Sequence, residues 1–417
     1  MKKRILIIVI FLIYKVEAQT STFKLIDSLS TKGQYKQALN LLDEIKPETF
    51  NSIKKSGDIY YSIDSYKKAI QYYKKALLIK SNYSTQIQLA SSFRKIKQYK
   101  SAIEIYENII NEDVENLFVA YQLGKLYSIT NQLKKALLVF NTLLKKDEAN
   151  ANYWFQLATI YGRLGNGNKM IDSYLKSYKK DTTHLKSIYQ LASIYKKIRK
   201  KDSSNLFVEK GLILDKNHIN LNKLKINNLY LKKEYDKAIS LLKHLDTISP
   251  NQMYVQKMLG KSYFYIKEYD DAKKHLQRAK NIDRKDFKTY TYLGHVNRAL
   301  KNYPRAQTNY FLATTIGKKK RNVEYYSLGL LFLERKKPKI AIRMFKNALD
   351  ENSSDYKSKY QLAITSDAIY KDKKIAYKLY DDYIDRFDSK DKEKTAFVKS
   401  RLKEITKKLF LKGEKVN

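Results

Sequence analysis

Residues 253–282 read MYVQKMLGKSYFYIKEYDDAKKHLQRAKNI. Leu259, Gly260 and Tyr263 share one side of a helix, a short polar turn follows at Ile266-Lys267-Glu268, and a second stripe runs through Tyr269, Ala272, Leu276 and Ala279. Spacings of three, four and seven belong to the face of an α-helix, not to the alternation of a strand. The stretch therefore encodes two helices joined by a tight turn. A small residue on each, Gly260 and Ala272, lets the two backbones approach to the short end of the ordinary ~8–10 Å interaxial range.

The same design recurs outward in steps of 34 residues. Behind Gly260 stand Ile226, Ala192, Ala158, Gly124 and Ala90, and ahead of it Gly294; all but Ile226 are small. Behind Ala272 stand Ala238, Ser204, Met170, Ala136 and Ala102, and ahead of it Ala306. One-residue slips carry both series to Gly57 and Ala69 at one end and to Gly329, Ala341, Ala363 and Ala376 at the other. A chain of 417 residues exceeds what one core sustains, and 12 Gly and 4 Pro supply little material for the turns of a sandwich or α/β fold. A repeat array meets both constraints, because each hairpin buries its apolar face on its neighbours.

The motif resembles the tetratricopeptide repeat, whose signature is Trp-x2-Leu-Gly-x2-Tyr followed by Ala, an aromatic, Ala and Pro. Trp154-x2-Leu157-Ala158-x2-Tyr161 carries it in the fifth repeat, Leu259-Gly260-x2-Tyr263 with Tyr269, Ala272 and Ala279 in the eighth, and Leu328-Gly329-x2-Phe332 with Ala341, Phe345 and Ala348 in the tenth. The final Pro appears only as Pro250, Ser204 and Gly211 replace Ala in the sixth repeat, and Lys225-Ile226 replaces Leu-Gly in the seventh. The resemblance implies an all-α, right-handed superhelical solenoid of about eleven helix-turn-helix repeats over residues 19–385. Residues 386–417 complete it as a basic capping helix and tail, since Val398, Leu402, Ile405 and Leu409 form a stripe opposite Lys399, Lys403, Lys407 and Lys408. Contact of that helix with an anionic membrane surface is the alternative reading.

The N-terminus has the pattern of an export signal. Met1-Lys2-Lys3-Arg4 precedes an apolar run from Ile5 to Tyr14, and Val16-Glu17-Ala18 offers a small-residue cleavage site. Residues 1–18 are expected to be a signal peptide, placing the protein in the periplasm, at the outer membrane or outside a Gram-negative cell. Cysteine is absent, so neither disulfides nor an N-terminal lipid thioether is available. The 83 basic against 42 acidic residues give a net charge of +41, which favours anionic partners and says nothing of the fold.

No constellation for catalysis, metal or cofactor is visible. His184, His218, His244, His275 and His295 form no HExxH pair. Gly162-x-x-Gly165-x-Gly167 falls where the turn inside the fifth repeat belongs, with no strand before it as a phosphate-binding loop requires. The expectation is a non-enzymatic scaffold without cofactor, metal or small-molecule substrate.

In the resembled family the first helix of each repeat lines a concave groove. Its register gathers Arg94, Lys95, Lys125, Lys186, Lys196, Lys197, Lys223, Lys257, Lys261, Lys288 and Arg298, with Glu334 as the one acid. Phe118, Tyr121, Tyr189, Tyr230, Tyr254, Phe264, Tyr265 and Tyr326 lie among them. Cations beside aromatic faces suit an acidic, extended protein segment. The overall basicity would also paint every face with the same sign, and a polyanion such as nucleic acid or an anionic glycan is the alternative partner. Lys223, Asn227 and Lys288 resemble part of a clamp for a terminal carboxylate, with Met258 and Tyr292 at two of its other places.

Overall fold

The computed structural model of the chain describes residues 21–317 and 321–414; the expected signal peptide lies outside them. Among the described residues there are 23 helices and no strand. The chain forms two compact units, Met1–Phe207 and Val208–Asn417. The first contains α1 (21–31), α2 (Tyr35–Glu44), α3 (Phe50–Ser62), α4 (Tyr66–Ile79), α5 (Tyr83–Lys95), α6 (Tyr99–Glu112), α7 (Leu117–Ile129), α8 (Leu133–Lys146), α9 (Ala151–Arg163), α10 (Gly167–Lys180) and α11 (Leu185–Lys197). The division falls within α12 (Lys201–Leu214). The second contains α13 (Ile219–Leu231), α14 (Tyr235–Ile248), α15 (Met253–Tyr265), α16 (Tyr269–Ile282), α17 (Phe287–Ala299), α18 (Tyr303–Ile316), α19 (Asn322–Glu334), α20 (Pro338–Glu351), α21 (Tyr356–Ile369), α22 (Lys373–Phe387) and α23 (Lys392–Leu411). Helices pair in order as eleven antiparallel hairpins, and α23 closes the series. The fold is an all-α repeat solenoid. α22 runs past residue 385 to Phe387 before the chain turns into α23.

Local chemistry sets both ends of most first helices, though Gln252 and Arg321 make no side-chain cap before α15 and α19. Asn82, Asn116, Asn150, His184, His218 and Asp286 stand just before α5, α7, α9, α11, α13 and α17, and each side chain accepts a backbone N–H of the first turn. At the hairpin turns one residue takes the left-handed conformation: Lys97, Asn131, Arg199, Lys233, Lys267, Lys301 and Lys336, with φ from 56° to 69°. Gly165 does the same at φ 77°, which accounts for the glycine-rich stretch as turn chemistry.

Between the helices, packing follows the small-residue series. Tyr310 of α18 lies wholly buried against Gly294 of α17, where a Cβ would come within 2.5 Å of its ring. Such rings also reach across to polar groups on the first helix: the Tyr310 hydroxyl lies 2.8 Å from His295 Nδ1, Tyr73 donates to Asp58 at 2.8 Å, and the Tyr174 hydroxyl lies 3.2 Å from Thr159 Oγ1. The departures in the sixth and seventh hairpins are accommodated. Ser204 is buried and donates to the Ala192 carbonyl at 2.9 Å, while Ile226 joins Leu242 in a dry core cluster.

At the C-terminal end Val398, Ile405 and Leu409 of α23 pack with Ala376, Tyr380, Tyr383 and Phe387. Arg401 of α23 donates to buried Asp367 of α21 at 2.6 Å, and Lys373 reaches the same carboxylate at 3.0 Å. Lys403, Lys407 and Lys408 point outward. No helix among the described residues is long and apolar enough to cross a membrane.

Candidate partner-binding groove

In α15 the buried positions are Val255, Gln256, Met258, Leu259, Gly260, Ser262 and Tyr263. Tyr254, Lys257, Lys261 and Phe264 remain as a half-buried stripe, the second, fifth, ninth and twelfth residues of the helix. The same positions give Lys223, Asn227 and Tyr230 on α13, and Lys288, His295 and Arg298 on α17, with Tyr292 one place along from the stripe.

These side chains converge over α15. The Lys261 ammonium lies 4.5 Å from the Tyr230 ring centre and 5.0 Å from that of Tyr292. Above it the Tyr230 and Tyr292 hydroxyls meet at 3.3 Å, and Tyr265 joins Tyr292 at 3.4 Å while stacking on Tyr235 at 4.8 Å. Residues from α13 and α17 can touch across the intervening first helix only where that face curves inward, so the stripe is locally concave. Alongside, Tyr254 donates to the Lys223 carbonyl at 3.2 Å and the Lys223 ammonium sits 5.4 Å over the Tyr254 ring.

Burial lowers the Lys261 pKa from its ordinary value, and the charges of Lys257 and Lys288 push it further while Asp286 opposes them. Burial raises the Tyr230 and Tyr292 pKa values, so both remain neutral donors. Burial likewise takes His295 down to about 4, aided by Arg298, so its ring is uncharged near neutral pH. The charged form of Lys261 is thus disfavoured by desolvation, and the aromatic faces of Tyr230 and Tyr292 supply partial compensation.

The structure corrects the electrostatics read from the sequence. Lys257 pairs with Asp286 at 3.3 Å and Arg298 with Glu334 at 3.0 Å. Glu334 is therefore not the one acid of the stripe: Asp286, which also caps α17, reaches it from outside the helical register. Met258 is 5% exposed and belongs to the core, so it takes no place in a carboxylate clamp. Lys223, Lys261 and Lys288 have no carboxylate partner among the described residues, and Asn227 lies half-buried between them in register. His295 is the site residue that the sequence reading left out of its groove, and Tyr292 entered that reading only as the occupant of a clamp place.

The first unit has a smaller counterpart. The Lys125 ammonium lies 5.1 Å over the Tyr121 ring, which packs 5.7 Å from Tyr153. Burial lowers the Lys125 pKa, as do the charges of Arg94 and Lys186, and burial alone lowers that of Lys196. Tyr189 is half-buried, Lys197 is exposed, and Lys95 stands 5.5 Å over Tyr66 at the hairpin's end rather than in the stripe. No three His, Asp or Glu side chains among the described residues gather as a metal site would require.

Hairpins of this geometry define a class of helical-repeat proteins whose stacked first helices form an extended binding surface. Residues 55–83, within α3 and α4 and the turn beyond, match the tetratricopeptide repeat family. Among solved structures the chain is similar to yeast Tom70, with 14% identity, a TM-score of 0.43 and coverage of 93% of this chain and 96% of that one. It is also similar to the APC/C hetero-tetramer Cut9-Hcn1, with 15% identity, a TM-score of 0.47 and coverage of 91% and 82%. A search of curated proteins returns no match.

Proposed function

We propose that this protein is a non-enzymatic scaffold that holds an acidic, extended segment of a partner protein along the first-helix stripe, and that it works in the cell envelope after export. The observation that supports the ligand class is Lys261, a half-buried ammonium enclosed by the Tyr230 and Tyr292 rings beside Lys257 and Lys288, with no ion-pair partner among the described residues. A carboxylate laid over the Tyr230–Tyr292 pair would supply that partner and relieve the repulsion. Extended peptide chain suits the site because stripe cations recur on the successive first helices α13, α15 and α17, at Lys223, Lys261 and Lys288, as successive acidic residues would require. The export reading rests on residues 1–18.

The test is fluorescence anisotropy with a short labelled Asp/Glu-rich peptide, a basic peptide of equal length, oligo-dT and a heparin oligosaccharide. The acidic peptide should bind, and the triple variant Lys257→Glu, Lys261→Glu, Lys288→Glu should weaken it by about 10-fold or more. Equal binding by the variant would remove the groove assignment. Binding of oligo-dT or heparin with a steep salt slope, without the acidic peptide, would favour the polyanion reading. Protein recovered from fractionated cells should begin at Gln19 and lie outside the cytoplasm.

A further inference from the structure

Next to the cationic cluster the second unit carries a cavity of ≈ 480 Å³ whose lining residues come from α17, α19, the start of α21 and the turn that precedes it. Its size is that of an ordinary small-ligand or side-chain pocket, about 300–1,000 Å³. The polar groups in its walls are already engaged. Arg298 pairs with Glu334, Asn322 donates to Asp355 at 3.0 Å, Asp355 also caps α21 through the Ser358 N–H, and the His295 ring nitrogen is bonded to Tyr310. What remains is Lys357, exposed at the mouth with its ammonium 6.0 Å from the Tyr356 ring, and an apolar surface of Val323, which is 49% exposed, Leu330, and the rings of Tyr326 and Tyr356.

We propose that this pocket is the anchor for a bulky, uncharged apolar side chain of the same bound segment. The inference rests on the proposed groove function and adds a specificity element to it. His295 forms the wall between the two sites: its ring is 5.5 Å from Tyr292 and 5.9 Å from Phe264 on the cationic side, and it lines the pocket on the other. A segment whose carboxylate lies over Lys261 passes His295 and reaches the pocket after crossing α17. From α15 to the space between α17 and α19 is about one and a half helix spacings of roughly 10 Å, which at ~3.3 Å per extended residue is a separation of about four to five residues. The buried part of the occupant is a neutral side chain because Arg298 and Asp355 in the pocket walls are already engaged, and Lys357, exposed at the mouth, joins Lys261 and Lys288 in specifying its acidic neighbours.

The experiment compares short acidic peptides carrying one Leu or Phe at different distances from an Asp-Glu pair with an all-acidic control. The apolar residue should strengthen binding to the full chain by about 10-fold at the right spacing. Val323→Gln at the exposed rim and Leu330→Asn on the wall should each abolish that gain and leave the all-acidic peptide unaffected; circular dichroism verifies folding, and Val323→Gln keeps the test valid if Leu330→Asn unfolds. A photoreactive phenylalanine analogue at the apolar place should label residues within 322–330. No gain from any apolar residue, or a gain that persists in Val323→Gln with labelling elsewhere, overturns the pocket while leaving the groove intact. Failure of every acidic peptide to bind overturns both.

Discussion

Replacing Gly294 with Ala tests the small-residue logic that holds the hairpins together. The added Cβ would lie 2.5 Å from both Cδ1 and Cε1 of Tyr310, about 1 Å inside ordinary carbon contact of ~3.5–4.0 Å. The ring cannot swing aside easily, since it is wholly buried and its hydroxyl is held at 2.8 Å by His295. Overpacking of this kind costs ~1–3 kcal/mol, and the better helix preference of Ala returns ~1 kcal/mol. With the ring pinned, the upper part of the range applies, and a net loss of about 1–2 kcal/mol is expected. In a repeat stack the loss is local, so a global midpoint is a poor readout. Amide hydrogen exchange should accelerate in α17 and α18 and remain unchanged in α3–α10. Gly167→Ala is the control: a Cβ there meets nothing within 4 Å in the first turn of α10, so it should stabilise by a few tenths of a kcal/mol. Unchanged or slower exchange in α17–α18 of Gly294→Ala would refute the argument that close approach demands glycine.

Lys261→Met should lower acidic-peptide affinity about 10-fold while leaving exchange in α13–α17 nearly unchanged, because lost cation–π contact of ~0.5–2 kcal/mol is offset by removing a desolvated, repelled charge; collapse of α15 protection would mark a structural role instead. The lowered pKa values of Lys125 and Lys261 mean that the unfolded chain binds more protons between the folded and ordinary lysine values. Stability from these groups therefore rises with pH across that alkaline window. Acidic-peptide affinity should fall through the same window, before ordinary lysines titrate, and a titration series by anisotropy reads it; flat affinity there would contradict the assignment. At the C-terminal end burial pushes Asp367 upward, but hydrogen bonds from Arg401 and Lys373 more than reverse this, so its pKa is lowered. Its contribution is present above the unfolded carboxyl value of about 4 and is lost as pH falls through the folded value, and α23 should lose exchange protection in acid. Arg401→Ala should loosen α23 at neutral pH by about 1–2 kcal/mol, less than for a fully buried pair because Arg401 is 26% exposed; unaltered α23 exchange would show that apolar packing alone seats the cap.

The fold was legible because its determinant is local and repeated. Gly260, Gly294 and Ala272 recur at a spacing that only stacked hairpins explain, and a further 34-residue series, Asn82, Asn116, Asn150, His184 and His218, resuming at Asp286 after Gln252, which makes no side-chain cap, marks the start of first helices. That series was available as a signal, though His at a helix start is easily passed over. The stripe positions of Lys223, Lys257 and Lys261 also followed from helical period.

What the sequence by itself determined, then, was the hairpin, its number of copies and the face that carries Lys and Tyr, since these depend on neighbours within a helix turn. Only the tertiary structure decided which charges remain to be used. Lys257 is neutralised by Asp286 from the next hairpin, Arg298 by Glu334, and Lys261 is enclosed by Tyr230 and Tyr292 from the helices on either side. Those pairings join residues 29 to 36 places apart. Their geometry depends on how successive hairpins curve, a property of the packed stack that no periodicity within one repeat records.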